Sequence, residues 1–140
     1  MASGTADRII MASVAIAVLA ASYALTPDAS GYGTHRQVLV LPCTFHAVTH
    51  LPCPLCGLTT SFALTARGDV RAAFESHLLG PALFVLTALV AIAGMVSLLP
   101  GTDRVRRIVA LAGGAELGRW LVAALLVAWP IDVWLYIARG

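Results

Sequence analysis

The chain has no lysine and few charges of either sign. Its 140 residues hold nine arginines, seven carboxylates and four histidines, so charged side chains make up 11% of it, against 59% hydrophobic. A soluble domain carries about 25% charge. So small a polar complement cannot clothe a water-soluble globule, and so large an apolar one is incompatible with a disordered tail. The formal net charge of +2 argues against a nucleic-acid reader and implies no acidic partner beyond anionic lipid headgroups. Cysteine is also scarce: Cys43, Cys53 and Cys56 are the three, all within 14 residues. An odd number excludes a closed set of disulfides without a partner thiol, and the clustering marks a site. No internal repeat is present. Composition therefore names the bilayer as the solvent.

A helix needs about 20 apolar residues to cross a hydrocarbon core about 30 Å thick. Three stretches approach that length: residues 9–25, 78–99 and 121–138. The middle one is without charge and stops at Pro100-Gly101. The first has a competing reading as a cleaved signal peptide, with Arg8 as its basic flank and Ser22-Tyr23-Ala24 as a small-x-small site. Its apolar run exceeds the usual signal-peptide core of about 7 to 15 residues, which favours a retained anchor. The third contains Pro130, where a kink is expected, and Asp132, with Trp120, Trp129, Trp134 and Tyr136 around it as an interfacial belt. Residues 100–119 read as a basic loop, in which Arg104, Arg106 and Arg107 hold anionic lipid and Gly113-Gly114 forms a hinge. Arg8, Arg104, Arg106, Arg107 and Arg119 fall on one side of the membrane, against Arg36, Arg67, Arg71 and Arg139 on the other. The positive-inside rule then puts the N-terminus and the basic loop in the cytoplasm.

Residues 26–77 form a small folded cap that holds every cysteine and histidine. Pro42 suits the first turn of a helix to about Leu51, on which Cys43, His46 and His50 share a face. Pro52-Cys53-Pro54-Leu55-Cys56-Gly57 is a tight turn by composition. Thr59 or Thr60 then N-caps a short helix ended by Gly68, and Asp69 caps another, with Val70, Ala73, Phe74 and His77 on one face. Such helices lie at the membrane surface or re-enter it.

The cap residues support more than one chemistry. Cys53 and Cys56 have the spacing of a metal knuckle, and Cys43, His46 or His50 complete a tetrahedral zinc set; sulfur with imidazole also suits copper. Alternatively, Cys53 and Cys56 are a thiol-disulfide couple at a helix start, with Cys43 as resolving thiol, although no second pair is present to relay electrons. Covalent haem attachment needs His directly after the second Cys, where this chain has Gly57. The plain alternative is a structural disulfide or a buried packing corner. His35 reads as solvated, and His77 reaches either the cluster or a capping or headgroup contact. Asp132 needs a partner. It finds one in the cap, by hydrogen bond, through Arg67 or Arg71, or as an outer ligand, or else it reaches water or Arg139.

The run Cys53-Pro54-Leu55-Cys56-Gly57-Leu58-Thr59-Thr60-Ser61-Phe62-Ala63, with Arg67-Gly68-Asp69 and Ala73-Phe74 after it, resembles the small bacterial membrane proteins of domain-of-unknown-function family 2752. Cys43, Thr49, Cys53, Pro54, Cys56, Gly57, Thr59, Gly68 and His77 fall on the positions of that family's pattern, over residues 41–86. His50 stands where glycine is usual, and Leu79 where proline is common, so a metal role for His50 would be peculiar to this chain. The resemblance implies an integral membrane protein with a cysteine-marked cap, and supplies no activity.

The expectation is an all-α membrane protein with three transmembrane helices and a short helical Cys/His-rich cap between the first and second. Gly57, Thr59, Gly68, His77 and Asp132 support that cap. The sequence marks no catalytic residue. The function expected is that of an accessory or structural subunit packed against other membrane subunits, in the bacterial cytoplasmic membrane with the cap outside. A thiol or metal-dependent redox protein is the alternative.

Overall fold

The computed structural model describes residues 4–28, 33–37, 48–49, 56–112 and 115–139. They form helices α1 (Thr5–Ala24), α2 (Cys56–Ala66), α3 (Val70–Ser76), α4 (Gly80–Val96), α5 (Asp103–Ala112) and α6 (Ala115–Arg139), with a 3₁₀ turn at Thr34–Gln37. No strand occurs among the described residues, and the all-α class is as expected.

Small residues set the central contact. On α1 the buried positions are Arg8, Ala12, Ala15 and Ser22, spaced four, three and seven residues apart along one face. On α4 Ala91 and Gly94 are buried in turn. A Cβ on Gly94 would lie 2.8 Å from the Ala12 Cβ, so the two backbones meet at a distance that only glycine permits here. The helices are antiparallel, because Arg8 in the first turn of α1 reaches Ser97 at the far end of α4. Phe62 of α2 packs edge-on against Phe84 of α4, with ring centroids 5.5 Å apart.

Within α1 and α6, the 20 residues of Thr5–Ala24 and the 21 of Gly118–Ala138 are long and apolar enough to cross a membrane. The middle apolar run, the clearest in the sequence, forms a helix of only 17 residues, about 25 Å at 1.5 Å per residue. It ends early: the Ser97 hydroxyl bonds back to the Gly94 carbonyl, and the Leu98 and Leu99 N–H groups bond three residues back, to Met95 and Val96, so the chain turns away at residues 98–100. Counted with α3, from which it bends by 112°, α4 becomes a third, broken span. Residues 103–112 are helical rather than a loop: Val105, Val109 and Ala112 recur at helical spacing, and Val109 is buried. Helix α6 runs through Pro130 as one element. Gly113-Gly114 lies outside the described residues.

Arginines close both ends of the α1–α4 pair. At one end Arg8 and Arg106 donate to the Ser97 carbonyl at 3.2 and 3.1 Å. At the other, Arg67 donates to the carbonyls of Ser22 and Tyr23, at 3.4 and 3.1 Å, in the last turn of α1. Both satisfy carbonyls that a helix C-terminus leaves open, and both set positive charge against the negative end of its dipole.

Candidate functional site at the cap end

Helix α2 begins at Cys56, so Thr59 and Thr60 stand in its first turns and do not N-cap it. Turn composition placed the start too late, because Gly57 is a permissive residue that this helix simply includes. Thr60 is fully buried and shares a 2.8 Å hydrogen bond with Thr34, whose hydroxyl also accepts from the Asp28 N–H at 3.0 Å. Gln37 fastens the same segment by bonding both the N–H and the carbonyl of Thr26. The 3₁₀ turn is thus pinned to α2 and to the end of α1.

Gly68, at φ +83°, makes the left-handed turn after α2, and the Asp69 carboxylate caps α3 by accepting from the Ala72 N–H at 3.1 Å. The two helices lock where the buried Ser61 hydroxyl donates to the Ala73 carbonyl at 2.8 Å. The buried face of α3 is Ala73 and Ser76, continued by His77, while Val70 and Phe74 are each 45% exposed. The expected face of Val70, Ala73, Phe74 and His77 is therefore rotated, because close approach to Ser61 selects the small Ala73 as the contact. Gly80 is drawn in as well: a Cβ there would lie 1.9 Å from the Ser61 Oγ.

At the bend between α3 and α4 the chain meets α6. His77 and Asp132 are 3% and 8% exposed. Asp132 Oδ1 accepts from the Leu78 N–H at 3.0 Å, and Oδ2 stands 3.5 Å from His77 Nδ1. That nitrogen also accepts from the Leu79 N–H at 3.2 Å. The aspartate's partners here are a backbone amide and an imidazole, not Arg67 or Arg71, which engage α1 and Glu75. The arrangement satisfies an amide exposed by the broken helix and couples the cap to the third apolar helix.

Cys43, His46, His50 and Cys53 lie outside the described residues, as does the side chain of Cys56. Among the described residues no group of three His, Cys, Asp or Glu side chains could hold a metal. Thr59 faces an apolar groove of about 740 Å³ between α1, α2 and α4, edged by Leu121 of α6. Its hydroxyl is buried without a partner among the described residues. The other two hydroxyls lining the groove, of Ser22 and Thr87, turn back onto their own helices. Among the described residues no titratable group lines the groove, and its surface is almost wholly apolar.

Residues 43–91 match a family model described as "Protein of unknown function (DUF2752)". The matched segment takes in the cap helices, the bend at His77 and most of α4, and the chain is similar to that family over this segment. No curated protein and no solved structure matches it.

Proposed function

We propose that the chain is an accessory subunit of a larger assembly in the bacterial cytoplasmic membrane, with its cap on the extracytoplasmic side. The observation that carries this reading is the exposure of α6. Ala128 and Asp132 are buried and Leu121, Leu125, Trp129, Val133, Leu135 and Tyr136 half-buried, while Trp120, Val127 and Trp134 are 72%, 71% and 66% exposed, and Val122, Leu126 and Ile137 are exposed with them. Tilt and rotation of a membrane helix are set by packing against neighbouring helices. A 25-residue helix of whose apolar span only 11% is buried within its own chain takes the rest of that packing from another protein. The cap's cysteines hold it together through zinc or a disulfide. Extraction in mild detergent followed by native sizing tests the reading: a second polypeptide comigrates with the chain, and a lone 14.6 kDa species contradicts it.

A second reading, a thiol or metal-dependent redox protein using Cys53 and Cys56, is favoured by one feature. Cys56 is the first residue of α2, where unpaired N–H groups and the helix dipole stabilise a thiolate. Its test is alanine at each cysteine. Loss of a quinone-linked activity from a chain that still folds supports it, and unchanged activity excludes it.

A further inference from the structure

We propose that the arginine-rich end of the bundle, opposite the cap, binds the phosphate of an anionic membrane lipid, with α5 lying along the bilayer surface as the docking face. Two guanidiniums converge there on one carbonyl, Arg8 Nη1 and Arg106 Nε on Ser97 O. Arg8 is only 9% exposed, and its Nε has no partner among the described residues. Carboxylates are few at this end. Asp103 bonds Arg106 at 3.3 Å, and Asp7 accepts from the Gly4 N–H at 3.0 Å. Glu116 is bonded to Arg119. Among the described residues no carboxylate pairs with Arg8, Arg104 or Arg107. A buried cation with no counter-ion is costly, and a nearby anion relieves the cost.

The shape of α5 selects a lipid over a free anion. Its exposed stripe runs Arg104, Arg107, Ile108 and Leu111, at helical i, i+3, i+4 and i+7 spacing. Ile108 and Leu111 are 60% and 77% exposed, whereas Val109 on the opposite side is buried at 2%. One face therefore offers two cations and, a turn further on, two bare aliphatic side chains. That is the complement of a phosphate headgroup joined to acyl chains. Helix α5 follows the end of α4 after six residues, which places it at the depth of the headgroups. Arg104 and Arg107 extend their stems along the apolar surface and reach the phosphate with their tips.

The test titrates the full chain in neutral detergent with phosphatidylglycerol or with phosphatidylcholine of the same acyl chains, read by native mass spectrometry, with inorganic phosphate as the free-anion arm. Two exposed arginines near a membrane surface correspond to a preference of about thirty-fold for the anionic lipid. Arg104→Gln with Arg107→Gln brings the two lipids within about twofold of each other while helix content by circular dichroism is unchanged. Ile108→Ser with Leu111→Ser weakens retention of both lipids and leaves their ratio intact. A wild-type chain with no preference overturns the proposal, and so does a double-Gln variant that keeps it. Displacement of phosphatidylglycerol by inorganic phosphate at equal concentration also overturns it, because the site then recognises a free anion.

Discussion

Replacing Asp132 tests the link between the cap and the third apolar helix. The carboxylate makes two contacts across 54 and 55 positions of sequence, to the Leu78 N–H at 3.0 Å and to His77 Nδ1 at 3.5 Å. Asp132→Leu removes both and introduces no polar group. The Leu78 amide is then left without its acceptor in a partly buried bend, and a hydrogen bond to a charged group contributes about 1.5–3 kcal/mol. Asp132→Asn keeps an oxygen for that amide and loses only the charge, so about 1 kcal/mol or less is expected. Denaturation of the purified chain in mixed micelles, followed by circular dichroism, ranks the two variants. Amide exchange at Leu78 accelerates in the Leu variant and not in the Asn variant. Equal stability of wild type, Leu and Asn variants, with no change in exchange at Leu78, refutes the reasoning.

Two further predictions rest on close backbone approaches. Gly80→Ala drives a methyl to within 1.9 Å of the Ser61 Oγ and breaks its bond to Ala73; it costs about 1–3 kcal/mol, and Ser61→Gly in the same chain restores most of the loss in a thermal unfolding assay. Gly94→Val pushes α1 off α4 at Ala12 and is expected to lower the unfolding midpoint in detergent, with Ala12→Gly as the compensating change.

The spans were legible because an uncharged run has one stable solution in lipid, and Asp132 stood out as the ionisable residue within such a run. The lengths were less legible. Hydropathy continues to Leu99, but the Ser97 hydroxyl on Gly94 and the shift of Leu98 and Leu99 to carbonyls three residues back close α4 earlier, a local hydrogen-bonding choice that apolar counting does not see. The arginine cluster of α5 suggests a loop, although Val105, Val109 and Ala112 carry the helical period. The start of α2 was placed by a threonine signal that Thr60 spends instead on Thr34. Arg8 and Arg67 acquire their roles from helix ends brought beside them by folding, and nothing local in the sequence marks those ends. The cysteine and histidine set that the sequence singled out lies almost wholly outside the described residues, whereas Gly68, His77 and Asp132 are placed, with the last two in contact.

The proposed subunit role requires that the exposed faces of α6 meet a second protein. Site-specific photocrosslinking in the native membrane reads this directly, with a photoreactive residue in place of Trp134, 66% exposed, or of Ala128, 4% exposed. A discrete adduct with one other membrane polypeptide is expected from position 134 and an intramolecular product from position 128. Lipid adducts alone at position 134 would contradict that role.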